Sequence, residues 1–142
     1  DFARNHPGGE LGKQLSLKVE SVMHCIDDVA QINESDSISD CAAKMTDKPL
    51  GAALIINKNQ LIGIITEGDL RQSIAKSTDS SIPIKDFINF SPVSINPSIS
   101  IFDAMKVMED RDSQISVLPI VDSSNKCLGL LTLHDLYQTK LV

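Results

Sequence analysis

Apolar residues recur along the chain with two distinct periods. Ile38, Cys41, Ala42 and Met45 lie at i, i+3, i+4 and i+7, and Ile101, Ala104, Met105 and Met108 repeat that spacing 63 positions later. The spacing predicts two amphipathic helices, each with one face for a core. Ser37 with Asp40, and Ser100 with Asp103, supply N-cap and N3 groups for the free N–H groups at the helix starts. Each predicted helix is followed by two short branched-aliphatic runs, Ala52–Ile56 then Leu61–Thr66 and Ser116–Val121 then Cys127–Thr132. Their length and composition favour strands. The connectors NKNQ and DSSNK are short and rich in turn formers, so each pair reads as an antiparallel hairpin. Pro119, which has no N–H to donate, is expected at an edge or at a position outside the hydrogen-bond ladder.

The second half therefore repeats the first. GIITEGDL, Gly63 to Leu70, returns as GLLTLHDL, Gly129 to Leu136, with Gly, Thr, Asp and Leu 66 residues apart. In both copies an apolar run ends at a Thr and an Asp follows three residues later, the start of a capped helix. Ala30–Ile32 and Val93–Ile95 each read as one more short strand before the first helix, which makes each unit β-α-β-β-α. One unit of roughly 55 residues buries too little surface to be comfortably stable alone. Two are expected to pack sheet to sheet about a pseudo-twofold axis, an α/β (α+β) fold. The predicted boundaries are 1–18 for a leading segment, 19–76 for repeat 1, 77–83 for a linker and 84–142 for repeat 2.

Composition narrows the functional classes. The 142 residues carry a net charge of −6 and no basic run, which disfavours nucleic acid as a partner. No apolar run approaches the roughly 18 residues of a membrane span, and the N-terminus lacks a secretory pattern. Three cysteines, an odd number without CxxC spacing, fit a reducing, cytoplasmic compartment. A start at Asp1 inside a polar, Gly-containing segment is expected of a piece of a longer polypeptide.

The repeated T-x-x-D is the first candidate site. Capping alone accounts for Thr66 with Asp69 and Thr132 with Asp135, each cap contributing about 1 kcal/mol. A ligand gives the same residues a second use. A carboxylate accepts two hydrogen bonds from a ribose diol, and a Thr hydroxyl at a helix start can face a phosphate. Arg71, directly after the first GDL, either pairs a phosphate or covers its helix flank. The copies differ at Glu67-Gly68 against Leu133-His134, so two clefts need not be equivalent. GGELGKQ fails as a phosphate-binding P-loop, because only three residues separate Gly8 from Gly12 and Gln14 replaces the Ser or Thr that holds magnesium. His24, His134 and the cysteines lack the spacing of a metal site, and none is expected. His6, alone in a Gly-Pro loop, reads by itself as a solvated polar residue.

Two β-α-β-β-α units that each close with G-h-h-T-x-x-D-L resemble a tandem pair of cystathionine β-synthase (CBS) domains, the Bateman module, over about Val19 to Leu141. The resemblance implies clefts between the half-domains that bind adenine or other nucleotides, with Thr66, Asp69, Arg71, Thr132 and Asp135 as ligand residues, and self-association into a CBS dimer. The run HPGGELGKQLSLKVESVM, His6 to Met23, is similar to the joint between the sugar isomerase (SIS) domain and the CBS pair of arabinose 5-phosphate isomerases. It implies that the parent interconverts arabinose 5-phosphate and ribulose 5-phosphate for Kdo synthesis in lipopolysaccharide or capsule, as a homotetramer. His6 would complete its active site, and this chain alone would be non-catalytic. The implied ligand is a regulatory nucleotide, CMP-Kdo, AMP or ATP, with no other cofactor. Two alternatives stand beside it: a ligand-free oligomerisation scaffold, and an adenine-nucleotide-sensing CBS pair of another enzyme.

Overall fold

The helix periodicity is realised where it is strongest. A computed structural model describes residues 17–110 and 115–140, and in it α1 spans Ile38–Asp47 and α3 spans Ile101–Glu109. Ile38, Cys41 and Met45 are buried on α1, with Ala42 half-buried; Ile101, Ala104, Met105 and Met108 are buried on α3. Ser37 accepts from the Asp40 N–H at 3.0 Å and Ser100 from the Asp103 N–H at 3.1 Å, so both helices start at the expected serine. The reciprocal half of the box, from Asp to the N-cap backbone, forms at Ser37.

The strands are β1 His24–Cys25, β2 Ala30–Ile32, β3 Ala52–Asn57, β4 Gln60–Thr66, β5 Val117–Val121 and β6 Cys127–Thr132, and the hairpins are followed by α2 Glu67–Lys76 and α4 Leu133–Gln138. They form two three-stranded sheets, β2-β3-β4 and β1-β6-β5. The first hairpin closes at Lys58 and Asn59, both with positive φ (51° and 66°), which is the two-residue turn that matches strand twist. The hairpin tips also bond each other: Leu61 N donates to Asn125 O (3.2 Å) and Cys127 N to Asn59 O (2.9 Å).

Three apolar clusters follow from this layering. Ala52, Leu54, Leu61 and Ile64 meet Val117, Cys127 and Leu130 between the sheets. The outer face of each sheet is covered by its own helices. Each outer core also takes residues from the segment that leads into the other repeat. Val19 is buried in the core of repeat 2, and Ile84 and Ile88 are buried in the core of repeat 1.

This exchange explains the recurrent glycine. His24 and Cys25, near the start of repeat 1, pair antiparallel with Leu130 and Gly129 of β6 in repeat 2. Asn89, near the start of repeat 2, exchanges two backbone hydrogen bonds with Ile64 of β4 in repeat 1, at 3.0 and 2.9 Å. A β-carbon on Gly129 would collide with the His24 carbonyl oxygen. One on Gly63 would lie 2.8 Å from Ile88 Cγ2 and 3.0 Å from the Asn89 carbonyl oxygen. Neither glycine has positive φ, so the requirement is room for a crossing backbone. A register shift precedes each crossing: Ile55 and Ile56 pair with Gly63 and Leu61, and Ile120 and Val121 with Gly129 and Cys127, leaving Ile62 and Leu128 as the bulged residues.

One expected strand is corrected. Val93–Ile95 contributes a single bridge, Ile95 to Ile120, where repeat 1 has the three-residue pairing of β2 with β3. Pro119 supplies the reason. Its carbonyl accepts from Ile95 N at 3.1 Å, and Val121 N donates to Ile95 O at 2.9 Å. The ladder bond that would continue toward Val93 needs an N–H at position 119, which proline lacks. β5 is an edge strand of its sheet, as expected of a strand that contains proline.

Two outcomes follow. Gly129→Ala should destabilise the chain by about 3 kcal/mol and Gly63→Ala by about 1–2 kcal/mol, because the first new methyl meets only backbone while the second also meets a side chain that can give; urea unfolding curves measure both. Burial pushes the Cys41 thiol up to about 11, with the Asp36 charge adding to it and Lys44 opposing, and burial also raises Cys127. Cys25 is exposed. At pH 8 a maleimide should therefore modify Cys25 in the native chain and leave Cys41 and Cys127 as protected thiols until denaturant is added, read by intact mass.

Candidate functional site

The two helix starts of the repeated motif open onto one cleft. Thr66 is the N-cap of α2 and Thr132 that of α4, and each takes part in a full capping box with the Asp three residues on. The helices are tied to the facing strand mouths by matching bonds, Glu67 N to Gly51 O (3.1 Å) and Leu133 N to Ser116 O (2.8 Å). The cleft, about 650 Å³, is lined from repeat 1 by Leu50, Gly51, Thr66, Glu67, Gly68 and Arg71. Repeat 2 supplies Ile115, Ser116, Val117, Thr132, Leu133 and His134. Most of these residues are matched pairs of the internal repeat, so the cleft lies across the pseudo-twofold relation.

Of the five ligand candidates in the described residues, the structure brings Thr66, Arg71 and Thr132 together on this cleft. Asp69 and Asp135 are folded back as caps and do not line it. Asp69 Oδ2 accepts from both the backbone N–H and the hydroxyl of Thr66, each at 3.0 Å. Asp135 Oδ2 accepts from Thr132 N at 2.8 Å, and its Oδ1 accepts from His24 Nε2 at 2.8 Å. The sixth candidate, His6, lies outside the described residues.

Charge in the cleft comes from repeat 1. Among the described residues the Arg71 guanidinium has no hydrogen-bond or ion-pair partner. It and the Thr66 hydroxyl flank Gly68: a β-carbon built there would lie 3.9 Å from Arg71 Nη2 and 3.8 Å from Thr66 Oγ1. Glu67 stands beside them, with Leu133 in its place in repeat 2 and His134 in the place of Gly68. One wall therefore carries an uncommitted cation and a hydroxyl, while Leu50, Ile115, Val117 and Leu133 supply apolar surface. That combination suits a ligand with an anionic group and a flat or apolar body.

Sequence reading missed His24, which it weighed only as a metal ligand. Its partner Asp135 is 111 residues away, so no local pattern signals the pair. Leu50, Gly51, Ile115 and Ser116 were missed as well; the signal that locates them is their place just before the first hairpin strand of each repeat.

Comparison with known proteins places these features in a family. The family model for the CBS domain matches twice, at residues 19–76 and 84–140. An arabinose 5-phosphate isomerase, KdsD of Francisella tularensis, is 35% identical over 99% of this chain, and the chain spans 43% of that relative's length. The crystal structure of CBSX2 in complex with AMP superposes with a TM-score of 0.71 at 22% identity, covering 87% of this chain and 96% of CBSX2. The CBS domain protein PAE2072 from Pyrobaculum aerophilum, complexed with AMP, gives a TM-score of 0.74 at 17% identity, with 84% and 89% of the two chains covered. Two matched domains, two sheets joined by crossed leading segments and a shared cleft together assign the chain to the CBS-domain family, as a tandem pair.

Proposed function

We propose that the chain is the regulatory part of an arabinose 5-phosphate isomerase and that its shared cleft senses a nucleotide or nucleotide sugar. The observation that carries the ligand half of this reading is Arg71, without a partner among the described residues, beside Thr66 on a cleft lined by both repeats. An uncommitted guanidinium at a partly apolar cleft is the chemistry of phosphate recognition. In this reading Thr66, Thr132 and Arg71 face the phosphate, while Asp69 and Asp135, folded back as caps, hold the two helix starts that present the threonines. CMP-Kdo is the ligand that feedback logic favours, with AMP and ATP as competitors. The relation to KdsD supports the parent activity, the interconversion of D-arabinose 5-phosphate and D-ribulose 5-phosphate in the cytoplasm. Moving a proton between C1 and C2 and opening the sugar ring each need an acid–base group. A histidine suits that role near neutral pH, and His6 fills it in the intact enzyme.

Melting curves of the chain with CMP-Kdo, AMP, ATP and adenosine test the reading. A ligand present at 100 times its Kd adds about 2.7 kcal/mol of stability. Arg71→Ala should weaken phosphate-bearing ligands about tenfold or more and leave adenosine unchanged. If none of the four shifts the melt, the chain is a scaffold.

A second observation supports self-association within the same reading. Ile74 on α2 and Tyr137 on α4 are 54% and 53% exposed, large apolar side chains on the two helices that open the cleft. Pairing through them gives the CBS dimer expected in a tetrameric parent. Sedimentation should find a dimer that the double variant Ile74→Glu/Tyr137→Glu converts to monomer without loss of helical signal.

A further inference from the structure

The cleft carries its charges on one helix. Glu67 and Arg71 stand at i and i+4 of α2, and both line the cleft. That spacing sets their β-carbons about 6 Å apart on one helix face. Repeat 2 offers neither charge, since Leu133 stands in the place of Glu67 and Tyr137 in the place of Arg71. His134 is the remaining titratable residue on the lining, and its Nε2 lies 3.2 Å from Gln138 Nε2. Among the described residues Arg71 is therefore the one permanent cation of the cleft and Glu67 its one lining carboxylate.

Backbone donors add little to that single cation. At the start of α2, Glu67 N donates to Gly51 O at 3.1 Å and Asp69 N to Thr66 Oγ1 at 3.3 Å. At the start of α4, Leu133 N donates to Ser116 O at 2.8 Å and Asp135 N to Thr132 Oγ1 at 3.0 Å. Both helix starts thus spend most of their leading N–H groups inside the protein, and the chain as a whole carries a net charge of −6. One guanidinium satisfies one phosphate, through two parallel hydrogen bonds. A second or third phosphate finds no further cation on the described lining and meets the Glu67 carboxylate, which projects from the same helix face as Arg71. Each added negative charge there is repelled, and discrimination of this kind comes from the unfavourable contact with the wrong ligand.

We infer that Glu67 is a specificity-determining residue that restricts the cleft to ligands with a single phosphate, nucleoside monophosphates or their esters, and turns away nucleoside di- and triphosphates. The inference rests on the nucleotide reading above and deepens it. Arg71 supplies the attraction, and Glu67 sets the limit on how much negative charge can follow it in.

Calorimetric titration of the 142-residue chain tests it, with AMP, ADP and ATP and in parallel with CMP, CDP and CTP, in EDTA and at about pH 8, where an imidazole is neutral. In whichever series binds, the wild type should prefer the monophosphate to the triphosphate about tenfold or more, with the diphosphate between them. Glu67→Gln keeps the length of the side chain and removes its charge. It should narrow that preference about fivefold or more, chiefly by tightening the triphosphate, and leave the monophosphate within about twofold. Glu34→Gln, an exposed residue away from the cleft, makes the same change in net charge and should leave the preference as it is. Added salt should narrow the preference in the wild type more than in Glu67→Gln. A triphosphate bound as tightly as the monophosphate, an unaltered preference in Glu67→Gln, or an equal shift in Glu34→Gln overturns the inference and leaves the nucleotide reading standing. If neither series binds the wild type or Glu67→Gln, the nucleotide reading falls and the inference falls with it.

Discussion

The close approach of two leading segments to two strand glycines organises the rest of the molecule. Each segment supplies backbone hydrogen bonds to the last strand of the opposite repeat, and each buries aliphatic side chains in that repeat's outer core. A side chain at Gly129 or Gly63 would push the segment off the strand. With the segments in place, the repeats are joined by backbone on both sides of the apolar layer between the sheets, and the hairpin tips add a third connection. Burial of Ile84 and Val19 at 0% exposure, each side chain stabilising by about 1.5–3 kcal/mol, makes the crossing an energetic as well as a geometric link.

The cleft inherits its form from this arrangement. The strand mouths at Gly51 and Ser116 and the helix starts at Thr66 and Thr132 are fixed relative to one another by paired hydrogen bonds. What distinguishes the two sides is side-chain chemistry laid on a symmetric backbone: Arg71, Glu67 and Gly68 on one side, Leu133 and His134 on the other. A duplicated unit can keep its fold while one copy drifts from ligand binding to support, because the capping role of Thr and Asp satisfies the helix start with or without a ligand.

Much of this was legible in the sequence. The helices of Ile38 and Ile101, the hairpins and their turns, and the helix starts at Thr66 and Thr132 all rest on local periodicity and turn chemistry, and they form where the residues predict. Val93–Ile95 reads as a strand but lacks the neighbour it needs, because Pro119 withholds a donor from across the sheet. The meaning of Gly63 and Gly129 was hidden for a related reason. Their recurrence shows in the sequence but its cause does not, because the backbones that need the space are far away in sequence. His24 escaped notice in the same way, since a contact across 111 residues leaves no trace in a short window of sequence.

The crossing also places the two segments differently relative to their partner strands along the chain. During synthesis His24 and Cys25 emerge well before β6, the strand they pair with. The core of repeat 1 takes Ile84 and Ile88 from the start of repeat 2, made after it, whereas the core of repeat 2 takes Val19 from the start of repeat 1, made before it. Of the two crossing segments, the one made first therefore has its partner strand made last, whereas the other follows the strand it pairs with.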